Sequence, residues 1–279
     1  MAMPADGHVH SEWSWDAPLG SMERTCARAV ELGLPAVAFT EHADHTAWTV
    51  RPEDVGGHEH LLRWVGPSGE LTPPRLDAAG YLECVQRCRD RFPDLVVLSG
   101  MEVGEPHWHG AAVASLLAAG RFDRVLGSLH CLAIGERYAE PPEMFRHQPA
   151  AEAMRDYLAE IVRLITGSDV FAVLAHIDYP VRYWPATAGP FEPAAFEDEF
   201  RYALSVLAGT GRALEVNTRV PLHPQIVRWW REEGGDAVAF GSDAHEPLAL
   251  ADGLADAAAM VEAQGFRAGR HPYDVWIRG

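Results

Sequence analysis

The chain has 279 residues, 48% hydrophobic and 9% aromatic, enough to bury a substantial core in one large barrel or two modest domains. Its formal charge of −17 argues against a general nucleic-acid-binding surface, because no basic stripe is available to displace counterions. No apolar run is long enough to cross a bilayer and no basic-plus-apolar leader opens the chain, so no membrane association and a cytoplasmic location are expected.

Seven segments rich in apolar and small residues, each with a polar end, read as buried parallel strands. The first, 6–10, ends in His8-Val9-His10, and strand alternation turns both imidazoles to one face. Met22, Cys26, Ala29 and Val30 then fall at helical spacing, with Gly33 placed to end the helix. The second strand, 36–42, ends Thr40-Glu41-His42. A long irregular stretch, 43–79, follows it; the part from Trp48 to Trp64 is Trp-rich, lid-like, and holds His58 and His60. Cys84 and Cys88 lie four apart on the next helical pattern. The third strand, 95–103, carries Glu102, and Glu105-Pro106-His107-Trp108-His109 comes after it, its histidines facing either substrate or solvent. The fourth, 124–130, ends Gly127-Ser128-Leu129-His130 and is followed by an irregular stretch, 131–150.

Met154, Leu158, Ile161, Val162 and Ile165 make a clear helical stripe. The fifth strand, 171–178, carries Ala175-His176-Ile177-Asp178, and a third irregular stretch spans 179–194. Phe196, Phe200, Ala203, Leu204 and Leu207 repeat the helical spacing before the sixth strand, 213–218. The seventh, 237–245, ends Gly241-Ser242-Asp243-Ala244-His245, and Leu250, Leu254, Ala257, Ala258 and Val261 form the last stripe.

Strand and helix alternate from end to end, which predicts a parallel sheet, open or closed as a barrel, in one domain over 1–279. The long irregular stretches all follow strands, so in a barrel they gather on the C-terminal rim, where such folds build their sites. Six of the seven strands end in or near a metal-ligand residue, and parallel closure would bring those ends together. Imidazole and carboxylate without thiolate suit Zn, Mn or Fe in an open site. The four cysteines read as reduced buried thiols. All 23 basic residues are arginine; with no lysine, Schiff-base, phosphate-loop and carboxylated-lysine chemistries are excluded.

The ordered set His8-Val9-His10, Thr40-Glu41-His42, Glu102, Gly127-Ser128-Leu129-His130, Ala175-His176-Ile177-Asp178 and Gly241-Ser242-Asp243-Ala244-His245 resembles the polymerase and histidinol phosphatase (PHP) superfamily, specifically its histidinol-phosphate phosphatases. The resemblance implies a distorted (β/α)7 barrel with three divalent metal ions at the C-terminal ends of its strands. It assigns His8, His10, Glu102 and Asp243 to one metal, and Glu102, His130 and His176 to a second. Asp16, His42 and His245 would hold the third, although Ser14-Trp15-Asp16 also reads as a helix-initiating turn. Arg182 and Arg219 become phosphate clamps, the alternative being surface arginines paired with acidic side chains.

The implied reaction is hydrolysis of a small phosphorylated metabolite by a metal-bridging hydroxide. Asp16, Glu102 and Asp243 would be the catalytic carboxylates, and Asp16, Asp243 and the histidines candidates for protonating the leaving group. Glu41 and Asp178 would orient ligand imidazoles or simply be solvated. Other readings of the same site are a phosphodiesterase or nucleotide phosphatase, a C–N hydrolase, an iron-dependent oxidase and a non-catalytic metal-binding module.

Overall fold

A computed structural model describes residues 3–55, 59–271 and 273–279, so His58 lies outside the described residues. Strands and helices alternate as β1 (Asp6–Val9), α1 (Met22–Leu32), β2 (Ala36–Ala43), α2 (Ala78–Arg91), β3 (Val96–Gly104), α3 (Gly110–Leu117), β4 (Arg124–Ser128), α4 (Pro141–His147) and α5 (Ala150–Gly167). They continue as β5 (Val173–Leu174), α6 (Glu197–Ala208), β6 (Ala213–Asn217), α7 (Pro224–Glu232), β7 (Ala237–Gly241), α8 (Leu254–Ala263), β8 (Phe266–Arg267) and β9 (Trp276–Arg278).

β1 to β7 pair in parallel and in chain order, and β9 and β8 extend the β7 edge antiparallel. The sheet curls until its first and seventh strands meet. Val9 bridges Ala244, the His10 amide donates to the Ala244 carbonyl at 2.8 Å, and the Asp243 amide donates to the His8 carbonyl at 2.8 Å. This is the expected distorted barrel of seven parallel strands, closed at the strand ends that carry the ligand-type residues.

Helix ends follow local chemistry. The Ser21 hydroxyl accepts from the Arg24 amide at the start of α1, and Gly33 closes that helix with φ 68°, a left-handed conformation that costs glycine little. The α5 and α6 stripes bury Met154, Leu158, Ile161, Phe200 and Leu204 in the larger core cluster. Cys26, Cys84 and Cys88 pack between α1 and α2 in the second cluster, and all four cysteines are free thiols. The last helix starts at Leu254 instead of Leu250, because Gly253 just before it has φ 72°. The helices α3 and α7 and the terminal β8–β9 hairpin were not anticipated from the apolar pattern, and the stretch 131–150, expected to be irregular, holds α4 and a short hairpin of Leu132–Ile134 with Arg137–Ala139.

Several strands are shorter than expected, for a shared reason. The fifth was expected over 171–178, but regular pairing stops at Leu174 because the His176 amide donates to Glu215 Oε2 at 2.8 Å instead of to a strand carbonyl. Beyond β7 the Ser242 amide goes to Asp6 Oδ1 at 2.9 Å, and beyond β4 the His130 and Cys131 amides go to Glu105 Oε1 at 2.7 and 3.0 Å. Beyond β1 the Ser11 amide goes to Glu41 Oε2 at 3.0 Å. Buried carboxylates thus take over the ladder where ligand side chains must splay inward.

The three long stretches lie on the C-terminal rim. The first forms a small hairpin of Trp48–Thr49 with Glu70–Leu71 and two 3-10 turns, Pro52–Val55 and Glu59–Trp64. Its Trp48, Val50, Val55 and Leu71 make an apolar cluster with Cys131, flanked by Trp15, Trp64 and Trp108. No helix among the described residues is long and apolar enough to cross a membrane.

Candidate metal centre

The rim encloses a cavity of about 890 Å³. Glu102, near the end of β3, stands between two pairs of imidazoles. Its Oε2 is 3.1 Å from His8 Nε2 and 3.4 Å from His10 Nε2, while its Oε1 is 3.1 Å from His130 Nε2 and 2.7 Å from His176 Nε2. Asp243 Oδ1 joins the first pair, 3.4 Å from His10 Nε2 and 3.9 Å from His8 Nε2. Asp16, in the turn after β1, places Oδ2 3.0 Å from His245 Nε2 and 3.3 Å from His42 Nε2. All nine residues that the resemblance picked out as ligands therefore converge.

The donor set fits divalent metal. Atoms sharing a tetrahedral cation through bonds of about 2.0–2.1 Å stand about 3.4 Å apart, the spacing seen around His10. Among the described residues, four overlapping groups of three donors each keep their donor atoms within 4.8 Å, all buried or nearly so. Asp16 Oδ1 is buried without a hydrogen-bond partner, an arrangement a carboxylate tolerates when it faces a cation. Burial alone would raise Glu102, but His8, His130 and His42 hold it well below the usual carboxylate range. Asp16, with His42 and His245 beside it, and Asp243, with Arg182 and His8, are likewise held low against their burial. Both are thus kept ionised, which suits a ligand and not a proton donor. Burial, reinforced by His245 and His42, pushes His10 down to about 4 and keeps its imidazole neutral.

Groups behind the ligands orient them. Glu215, from the one strand without an expected ligand, approaches His8 Nδ1 to 2.6 Å. Glu41 does orient an imidazole, but through a hydroxyl: Ser14 Oγ donates to Glu41 at 2.6 Å and stands 2.9 Å from His10 Nδ1. Asp44 lies 3.3 Å from His42 Nδ1 and 3.4 Å from His130 Nδ1, and accepts from the Trp15 indole at 2.9 Å. Such carboxylate–imidazole contacts fix tautomer and ring orientation. Asp178 is buried yet bonds no imidazole among the described residues; burial pushes it up to about 6, against the pull of Arg182.

Glu215 and Asp44 were readable in principle. A charged residue inside Ala213-Leu214-Glu215-Val216 breaks an otherwise apolar strand, and Asp44 follows His42 at the two-residue period of β2. Asp6, which receives the Ser242 hydroxyl at 2.5 Å, and Glu105, with φ 44°, carried no comparable signal.

Arg182 and Arg219 both line the cavity. Arg182 donates to Asp243 Oδ2, and Arg219 Nη1 donates to the Asp243 carbonyl at 3.0 Å and lies 2.9 Å from His245 Nδ1. His60 also lines it, with Nε2 2.9 Å from the Asp16 carbonyl. The histidines of the third-strand loop neither line the cavity nor lie free in solvent. His107 Nε2 pairs with Glu160 Oε1 at 2.8 Å, and His109 Nε2 sits 2.8 Å from Thr46 Oγ1.

A parallel barrel with these buried histidine–carboxylate groups at its strand ends defines a metal-binding hydrolase, and the chain belongs to the PHP domain family, whose pattern matches residues 6–219. Within it, the chain is a homologue of the histidinol-phosphatases. It is 31% identical to the probable histidinol-phosphatase of Thermotoga maritima over 89% of this chain and 87% of that one. It is 24% identical to the histidinol-phosphatase of Lactococcus lactis over 94% and 91%. In fold it matches the crystal structure of histidinol phosphate phosphatase from Lactococcus lactis, complexed with zinc, L-histidinol and phosphate, with a TM-score of 0.80 and 21% identity over 99% of both chains.

Proposed function

We propose that this protein hydrolyses a small phosphomonoester, L-histidinol phosphate foremost, at a centre of three divalent metal ions. The observation that carries the reading is the Glu102 carboxylate shared between two imidazole pairs, with Arg182 and Arg219 lining the same cavity. His8, His10, Glu102 and Asp243 would hold the first ion, and Glu102, His130 and His176 the second. Asp16, His42 and His245 would hold the third. Zn, Mn and Fe all suit this donor set. Bound there, the ions would supply Lewis acidity toward phosphoryl oxygens and lower the pKa of water.

The chain's own side chains do the rest. Arg182 and Arg219 offer planar guanidinium forks to the phosphoryl oxygens, in a protein whose net charge of −17 otherwise repels an anion. Glu215, Asp44 and the Glu41–Ser14 pair hold ligand imidazoles in register. The tryptophan-rich cluster walls the cavity on the side of β2 and limits water. Residues 1–279 would act as one domain, since Asp243 and His245 lie beyond the segment 6–219 that matches the family pattern.

A phosphate-release panel tests the proposal, using protein reconstituted separately with Mn²⁺, Zn²⁺ or Fe²⁺. L-histidinol phosphate should give the highest kcat/KM, above nucleotides, cyclic phosphates and simple alkyl phosphates. Preference for a nucleotide or a diester, or no phosphate release with any metal, would overturn it.

A further inference from the structure

Asp44 and the two imidazoles it faces form a group of donors that the three-ion arrangement leaves unused. Asp44 follows His42 by one strand period, His130 meets them from beyond β4, and all three line the cavity. His42 Nδ1 lies 3.3 Å from Asp44 Oδ2, and His130 Nδ1 lies 3.4 Å from Asp44 Oδ1. One donor atom from each residue falls within 4.8 Å of the other two, and all three residues are buried. The Nε2 edges of the same rings look elsewhere. That of His42 is 3.3 Å from Asp16 Oδ2, and that of His130 is 3.1 Å from Glu102 Oε1.

Contacts of this length orient the rings but do not satisfy the atoms. Among the described residues His42 Nδ1 and Asp44 Oδ1 are both buried without a hydrogen-bond partner. Two buried polar atoms left bare in one group are costly unless a third body joins them. The separations are those of atoms that share one cation, about 3.4 Å for bonds of about 2.0–2.1 Å. The surroundings suit a ligating carboxylate as well. The Trp15 indole donates to Asp44 Oδ2 at 2.9 Å, the kind of outer bond that steadies a ligand. Gly104 leaves room for Asp44 Oδ1, since a Cβ there would come within 2.3 Å of it.

We infer that His42, Asp44 and His130 form a further seat for a divalent cation, of the kind that takes imidazole nitrogen and carboxylate oxygen together, zinc foremost. A neutral imidazole has one lone pair to give, so each ring serves one ion at a time. A cation at Asp44 therefore binds His42 and His130 through Nδ1 and takes both rings from ions held through Nε2. The seat competes with the centre and does not add an ion to it. That competition, though not the seat itself, rests on the three-ion reading above. Filling the seat removes one ligand from each of two other ions, so it fills last. It is an inhibitory site, occupied only when free zinc is in excess.

Zinc anomalous diffraction locates the ions directly, from wild-type crystals equilibrated with zinc matched to three ions per chain and with about a hundredfold excess. With matched zinc the peaks should lie at the Nε2 edges. In excess a peak should stand within about 2.2 Å of His42 Nδ1, His130 Nδ1 and an Asp44 oxygen, with density lost from the Nε2 edges of those rings. In solution, phosphate release should pass through a maximum as zinc rises. At about ten times the dissociation constant of the Asp44 seat it should fall to about one-tenth of that maximum. In Asp44→Asn, scaled to its own maximum and shown to be folded by circular dichroism, the inhibitory limb should move to zinc at least roughly tenfold higher. No peak at Asp44 in excess zinc, or a limb unmoved in Asp44→Asn, would overturn the inference. Absence of zinc from the Nε2 edges in the matched crystals would instead sink the three-ion reading, and a peak at Asp44 would still establish the seat.

Discussion

Glu102 serves two imidazole pairs through opposite carboxylate oxygens, so its removal differs in kind from removal of a peripheral histidine. Glu102→Ala should lose both ions that the carboxylate would share, together with phosphate release. His109→Ala, whose ring meets Thr46 and His45 away from the cavity, should keep its metal. Elemental analysis of the two purified variants checks the ranking, and equal loading would remove Glu102 from the bridge. The arginines act differently. Arg182→Ala and Arg219→Ala should each lower kcat/KM for the best phosphomonoester by roughly ten- to a hundred-fold while leaving metal bound. Arg→Lys should rescue poorly, because an ammonium is a point charge and cannot present two parallel donors. Wild-type kinetics in both alanine variants would show that phosphate is held elsewhere.

Among the barrel strands, the seam between β6, β7 and β1 sets the precision of the centre. Gly241, at the end of β7, is enclosed there: a Cβ would come within 2.4 Å of Glu215 Oε1 and 2.4 Å of the His8 Cβ. Both neighbours are buried and bonded to each other, so neither can retreat without disturbing a ligand. Gly241→Ala is therefore expected to cost about 1–3 kcal/mol of stability, as overpacking of a filled core does. Metal affinity should fall with it, since His8 must tilt. Urea unfolding and metal titration on the same preparation test this, and a variant with unchanged affinity would show that the seam is looser than its contacts. The carboxylates that end the strand ladders belong to this scale too. Glu215, Glu105, Asp6 and Glu41 each take a backbone amide at or next to a ligand-type residue in place of a strand carbonyl.

For the whole molecule, the centre is a charge cluster whose balance depends on what occupies it. Burial alone would lower His42, but Asp16, Asp44 and Glu102 push it up to about 10. His8 and His130 are likewise raised by carboxylates against their burial. A raised imidazole adds stability in full below its ordinary value of 6.5 and loses it progressively as pH climbs from there to the folded value. Metal-stripped protein should therefore lose stability between pH 7 and pH 8, by up to about 1.4 kcal/mol for each such group. Metal-loaded protein should hold steady or gain over the same interval, because cations favour unprotonated imidazole. Thermal melts with and without chelator at the two pH values check the opposite slopes; parallel slopes would separate the histidines from the metals. Restored metal at a thousand times its dissociation constant should add about 4 kcal/mol per site, on the order of 8 °C in Tm.

Much of this was determined by the sequence alone. Seven apolar segments that alternate with helical stripes can bury both faces only as a parallel sheet, and His8, His10, His42, Glu102, His130, His176, Asp243 and His245 stand at strand ends wherever that sheet closes. Tertiary structure decided the rest, because the deciding contacts join residues far apart in the chain. Whether Asp16 joined the other ligand-type residues or stood apart in its turn depended on His245 returning to it from the last strand. Glu215 became the partner of His8, and Asp6 that of Ser242, only once β7 met β1. His107 was drawn out of the cavity by Glu160 on α5. A strand's period tells which face a side chain takes; which buried charge will meet it there is known only when the barrel closes.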